Sequence, residues 1–124
     1  APAEELQTGV LAKYLEKDLQ DLMSEYDKLW DMDDPEENPY KSKYEARAIL
    51  ERALAEITRL VEACADGKEA DQGKEAIARL HLCMGKNLYF CEEVAVAEQH
   101  FIRSLERYLR SPLRLEPKPF VHIQ

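Results

Sequence analysis

Residues 80–105 read Leu80-His81-Leu82-Cys83-Met84-Gly85-Lys86-Asn87-Leu88-Tyr89-Phe90-Cys91-Glu92-Glu93-Val94-Ala95-Val96-Ala97-Glu98-Gln99-His100-Phe101-Ile102-Arg103-Ser104-Leu105. Ile77, Leu80, Met84 and Leu88 recur at threes and fours, the stripe of an amphipathic helix. Val94, Ala97, Phe101, Leu105 and Tyr108 form a second such stripe. Only Cys91 and Glu92 separate the two, so helices over about Lys74–Phe90 and Glu93–Leu109 must fold back as a hairpin. Within it, Leu88 follows Gly85 by three positions, Ala97 by twelve, Phe101 by sixteen and Ser104 by nineteen. Gly85 and Ala97 allow two helix backbones to approach closely, and Phe101 is expected to fill the gap to a neighbouring unit.

Those spacings are those of the tetratricopeptide unit, a helix–turn–helix repeat, with Met84-Gly85 at its Leu-Gly pair and Ser104 at its last small position. Outward toward the N-terminus the pattern persists but loosens. A long helix is expected over Ala3–Trp30, with Leu6, Val10, Tyr14, Leu15, Leu22, Tyr26 and Leu29 on its stripe and Leu11, Leu19, Met23 and Trp30 widening it. Asp33-Asp34-Pro35 ends it. Asn38-Pro39 is expected to cap and start a second helix running to about Ala65. Its buried face is Tyr44, Leu50, Ala53, Leu54, Ile57, Leu60, Val61 and Cys64. Asp66-Gly67 is expected to stop it, with Gly67 in a left-handed cap. The fold class is therefore all-α: two antiparallel helical hairpins, four main helices, opening a tetratricopeptide-like right-handed solenoid. The expected divisions are 1–65, an atypical first hairpin or N-terminal cap; 66–73, a polar loop; 74–111, the tetratricopeptide-like hairpin; and 112–124, an extended tail. Pro112, Pro117 and Pro119 keep that tail from continuing the helix. Its end, Phe120-Val121-His122-Ile123-Gln124, carries apolar residues and no stop signal, as if a further helix began there.

Composition supports helix. The 124 residues include only 4 Gly, and Ala, Glu, Leu, Lys and Arg abound. The net charge is −8, which argues against nucleic acid or an anionic membrane as partner. No uncharged run approaches the length of a membrane span, and no secretory leader is readable. Cys64, Cys83 and Cys91 show no C-x-x-C spacing, which suits a reducing, intracellular compartment. The acidity is local: residues 1–38 hold 12 acids against 3 bases. It peaks at Asp31, Asp33, Asp34, Glu36 and Glu37, the candidates for partner binding. The plain alternative is a solvated turn that aids solubility.

No nucleophile–base–orienter set is visible, so no catalytic residue, cofactor or metal is assigned. His81, Cys83, Cys91 and His100 are the one conceivable zinc set. On a helix Cys83 points about 200° from His81, and His81 falls at a packing position. The four glycines are too dispersed for a phosphate loop. The tyrosines read as half-buried packing residues. Leu82 and Lys86 stand where carboxylate-clamping tetratricopeptide proteins carry Lys and Asn, so a chaperone-tail clamp is unsupported.

Asn38-Pro39-Tyr40-Lys41-Ser42-Lys43-Tyr44-Glu45-Ala46-Arg47-Ala48-Ile49-Leu50-Glu51 resembles the N-terminal region of the kinesin-binding protein family. So does the block His81–Asn87 with Glu92-Glu93, Ala97-Glu98-Gln99-His100-Phe101 and Leu105. The likeness spans about residues 38–124, and the stretch 66–73 departs most. The resemblance implies a non-enzymatic helical solenoid several times longer than this chain, in a cytoplasmic, cytoskeleton-associated setting. It implies kinesin motor domains as partners, whose attachment to microtubules the family blocks. Axonal transport, mitochondrial distribution, spindle function and neurite growth are affected in turn. An acidic N-terminal unit would meet the basic surface with which motors hold acidic tubulin. The competing reading is a generic tetratricopeptide scaffold that holds a peptide in its concave groove. A solenoid cut after two units also exposes an apolar end, through which the chain is expected to self-associate unless its tail folds over it.

Overall fold

The computed structural model describes residues 9–110. They form four helices, with no strand among the described residues. Helix α1 comprises Val10–Lys13, a π-helical turn Tyr14–Asp18, and Leu19–Trp30. Helix α2 is Lys41–Ala63, α3 is Gly67–Phe90 and α4 is Val94–Arg110. Successive helices pack on one another: α1 on α2, α2 on α3, α3 on α4. The start of α1 also reaches α3. No described helix is long and apolar enough to cross a membrane.

The core lies along the facing sides of α2 and α3. Ala46, Leu50, Ala53 and Ile57 of α2 are fully buried, with Leu80, Met84 and Leu88 of α3 and Ala97 of α4 beside them. Burial of each such leucine or isoleucine contributes roughly 1.5–3 kcal/mol. The expected face of α2 is largely met, except that Tyr44 is exposed. In α1 the expected stripe is met at Leu11, Leu19 and Tyr26, which are buried, while Val10, upstream of the π turn, is exposed. A π turn absorbs an extra residue and so rotates everything before it by about one position. The side chain of Gln20 donates to the Leu15 carbonyl at 3.2 Å within this irregular stretch.

Two boundaries differ from the expectations. Asn38-Pro39 lies in a turn and does not cap α2, which starts at Lys41. Asp34 supplies the cap instead: its carboxylate accepts from the Ser42 amide at 3.1 Å and the Ser42 hydroxyl at 2.7 Å. The stretch 66–73 is not a loop. Asp66 is the N-cap of α3, accepting from the Glu69 amide at 2.9 Å, and Gly67 is the first helical residue. The Asp66…Glu69 pair is the spacing of a helix start, and it outweighs Gly67 as a stop signal. Two glycines that lower helix propensity, Gly67 and Gly73, stand in this first part of α3. Gly73 is kept small by packing, since a Cβ there would meet Leu11 at 2.9 Å and press on Val61. The expected start of α1 at Ala3, and the tail 112–124, fall outside the described residues.

The α3–α4 hairpin turns as expected, by a specific device. The Glu93 amide donates to the Leu88 carbonyl at 2.9 Å and the Glu92 amide to the Tyr89 carbonyl at 3.0 Å. This is a Schellman cap. Its left-handed position, usually glycine, is held by Glu92 with φ 66°. Hairpin and turn together bring the 31–40 segment, the start of α2 and the α3–α4 connection to one end of the bundle.

Candidate functional site

That end is organised around a buried lysine. Lys43 is 6% exposed. Its ammonium donates to the Met32 carbonyl at 2.6 Å and to the Ser42 hydroxyl at 3.0 Å, and stands 3.5 Å from the Asp34 carboxylate. The rings of Trp30 and Phe90 flank it at 6.0 and 5.7 Å, within reach of cation–π attraction. A cation this deep persists only when paired and hydrogen-bonded. The Ser42 hydroxyl, donating to Asp34, holds that carboxyl below its usual range, and Lys43 adds to the effect.

A second chain of polar contacts fastens α3 to this frame. Asn87, fully buried, donates to the Lys43 carbonyl at 2.9 Å. Arg47 donates to the Asn87 side-chain oxygen at 2.9 Å and to the Glu93 carboxylate at 2.7 Å. Burial pushes the Tyr26 phenol beside it up to about 12. The Tyr40 hydroxyl donates to Glu92 at 2.9 Å, so the turn after α1 is tied directly to the turn between α3 and α4. Such satisfied networks fix a single arrangement of the elements they join.

On this frame the five acidic candidates separate into two kinds. Asp34 is inward, 5% exposed at its side chain, and is a structural cap. Asp31, Asp33, Glu36 and Glu37 are exposed on the same turn. Beside them lies an aromatic edge: Trp30 and Phe90 rings at 5.3 Å, Phe90 and Tyr40 at 5.9 Å, Tyr40 and Tyr44 at 6.4 Å. Phe90, Tyr44 and Met32 are each about half exposed. Carboxylates bordering aromatic and methionine surface on a rigid frame form a surface suited to binding a protein. Lys43, Arg47, Asn87 and Phe90 were not singled out by the sequence reading. The one signal for Asn87 was a polar residue beside Leu88 on an otherwise apolar stripe.

The repeat-packing residues are placed as follows. Met84, Leu88 and Ala97 are buried, as is Gly85, while Phe101 and Ser104 are half-buried. The Phe101 ring lies on Gly85 inside the hairpin, where a Cβ would stand 2.5 Å from it. Small size at Gly85 is what admits the ring. His81, expected at a packing position, meets His100 with their Nδ1 atoms 2.9 Å apart. Burial lowers the affinity of both rings for protons; His100 adds to this at His81, and Arg103 at both. Cys83 and Cys91 do not join them: no group of three or more ligating side chains suited to a metal occurs among the described residues.

The histidine pair opens on a groove of about 670 Å³ between α2 and α4, lined by Arg47, Glu51, Leu54, Arg103 and others. Leu82 and Lys86, at the positions of the carboxylate clamp, are both exposed. Comparison of the chain with models of protein families, with curated proteins and with solved structures returns no match.

Proposed function

We propose that the chain is the N-terminal part of a protein that binds kinesin motor domains, blocks the attachment of selected kinesins to microtubules, and so regulates microtubule-based transport. Its two hairpins are read as the first units of a tetratricopeptide-like right-handed solenoid in the cytoplasm, associated with the cytoskeleton. The observation that carries this reading is the acidic turn of Asp31, Asp33, Glu36 and Glu37 beside the Tyr40–Tyr44–Phe90 edge. Negative charge attracts the basic, tubulin-facing side of a motor, and the aromatic edge supplies short-range contact area. The likeness of residues 38–51 to the kinesin-binding protein family names that partner.

Co-sedimentation of a panel of kinesin motor domains with microtubules, with and without this chain, tests it. The chain is expected to leave at least one motor in the supernatant, more strongly at low salt. Neutralising Asp31, Asp33, Glu36 and Glu37 to Asn or Gln, with Asp34 left intact to keep the frame folded, is expected to remove that effect. Motors that pellet equally with and without the chain, at every salt concentration, refute a motor-releasing activity in these two hairpins. A generic scaffold is the second reading, favoured by the α2–α4 groove with Arg47 and Arg103 on its walls. Under that reading, Arg103→Glu rather than the acidic-turn variant alters peptide capture.

A further inference from the structure

The groove between α2 and α4 has two unlike ends. The two helices run parallel, and the Arg47–Glu93 ion pair closes the end near the α3–α4 turn. Asn87 also holds Arg47, so the charges at that end are satisfied within the protein. Glu51 follows Arg47 by four residues, about 6 Å along α2, and lies toward the same end. Arg103 follows Glu93 by ten residues, about 15 Å along α4, and marks the far end. The half-buried His81–His100 pair lies just short of it, and Thr58 stands at the same height on α2. The charge that acts on both rings is the positive one of Arg103. Between the ends, Met84, Leu54 and Val96 give the groove an apolar stretch.

We infer that the groove seats a short extended segment of a partner protein, with an acidic side chain of that segment at Arg103 and the His81–His100 pair and an apolar one on Met84 and Val96. This rests on the scaffold reading and adds to it what the groove takes. A length of about 15 Å accommodates four to five extended residues. Val96 and Arg103 are about 10 Å apart along α4, the advance of three residues of a polyproline-II chain at about 3.1 Å each. Side chains three apart on such a chain share a face. The segment therefore carries its acid and its apolar residue three positions apart.

The chemistry of the far end suits a carboxylate. The guanidinium of Arg103 offers paired donors that match its two oxygens. The two histidines engage each other through Nδ1, so in the neutral pair one ring donates Nδ1–H and only the other carries Nε2–H. One proton taken from solvent makes both Nε2 atoms donors and gives the pair a positive charge. An anion at Arg103 favours that uptake, against the burial that opposes it. Arg103 is the one permanent cation at this end among the described lining residues, and Glu51 stands on the opposite wall. A singly charged carboxylate fits that balance better than a phosphate dianion.

Fluorescence anisotropy of the unaltered chain with two rhodamine-labelled, C-terminally amidated peptides, Gly-Gly-Leu-Pro-Pro-Asp and Gly-Gly-Asp-Pro-Pro-Leu, tests the site. One of the two orders is expected to bind. Replacing Asp by Asn in that peptide is expected to weaken binding about fivefold, with the protein untouched. Arg103→Gln is expected to weaken it by a similar factor with unchanged circular dichroism, since Arg103 is exposed. Binding is expected to be about twofold tighter at pH 6 than at pH 8, and level with pH in His100→Gln. A peptide held equally in its Asp and Asn forms, or equally by the unaltered chain and Arg103→Gln, overturns the carboxylate site and leaves a peptide scaffold standing. No binding of either peptide at millimolar concentration overturns both. A phosphoserine peptide bound more than about fivefold tighter than the Asp peptide overturns the single-charge match in favour of a dianion.

Discussion

Substituting Gly85 by alanine tests the tight contact between α3 and α4, because two opposed effects of known size meet there. In an ordinary helix interior, Gly→Ala stabilises by about 0.5–1 kcal/mol through lower chain entropy in the unfolded state. At Gly85 the new methyl carbon would stand 2.5 and 2.6 Å from two edge carbons of the Phe101 ring. That is about 1 Å inside normal carbon–carbon contact. Either the ring swings out and gives up its packing, or α3 and α4 separate and loosen Ala97, which is fully buried. Overpacking of this kind costs about 1–3 kcal/mol. The net expectation is a loss of about 1–2 kcal/mol, or a fall in Tm of about 4–8 °C for a domain of this size. Urea unfolding followed by far-UV circular dichroism reads it. Gly67→Ala is the control, since a Cβ there meets nothing within 4 Å; it is expected to be neutral or slightly stabilising. In Phe101→Leu the penalty at Gly85 should shrink by about 1 kcal/mol, the coupling between touching residues. A rise in midpoint for Gly85→Ala equal to that of Gly67→Ala would refute the reasoning.

Four further outcomes are expected. Glu69→Ala removes the acceptor for the Gly9 and Ala12 amides; it should cost about 1–2 kcal/mol and speed hydrogen exchange at the start of α1, with Glu69→Gln intermediate. Glu92→Gly relieves a left-handed side-chain residue but loses the Tyr40 contact, so a gain of about 0.5 kcal/mol is expected, larger in a Tyr40→Phe background. The Tyr40 phenol, held above its usual value chiefly by Glu92, should titrate at lower pH in Glu92→Gly by ultraviolet absorbance. The His81–His100 pair gives a pH dependence: the unfolded chain takes up protons near the ordinary value of 6.5 and the folded pair only below it. Stability should therefore be level above about pH 7 and decline as pH falls through that window. His100→Gln should flatten the decline, and an unchanged slope in that variant would exclude the pair as its source.

The helices and their order were legible because the apolar stripes are long and regular, most clearly in α4. The misplaced boundaries share a cause. Asp34 caps α2 from eight residues away, and a cap held across a turn leaves no local spacing to read. Asp66…Glu69 did carry a local helix-start signal, but the glycines around it read as a stop. That Leu11 rather than Val10 is the buried residue follows from the π turn after them, whose hydrogen bonding has no sequence signature here. At the candidate site, the acidic turn was visible as a charge run. Its partition was not, because Asp34 differs from Asp33 only by what folds over it. The lysine at its centre was hidden by the ordinary rule that lysine faces water.

Glu69 reaches across 60 residues to hold the first turn of α1. Protein chains are made from the N-terminus, so α1 and α2 emerge before the residue that completes α1's start. Until Glu69 arrives, the amides of Gly9 and Ala12 have water alone to satisfy them, and the first hairpin must wait with its leading turn frayed. The second hairpin thus completes the start of the first. A chain ended before α3 would lack the carboxylate that holds this turn.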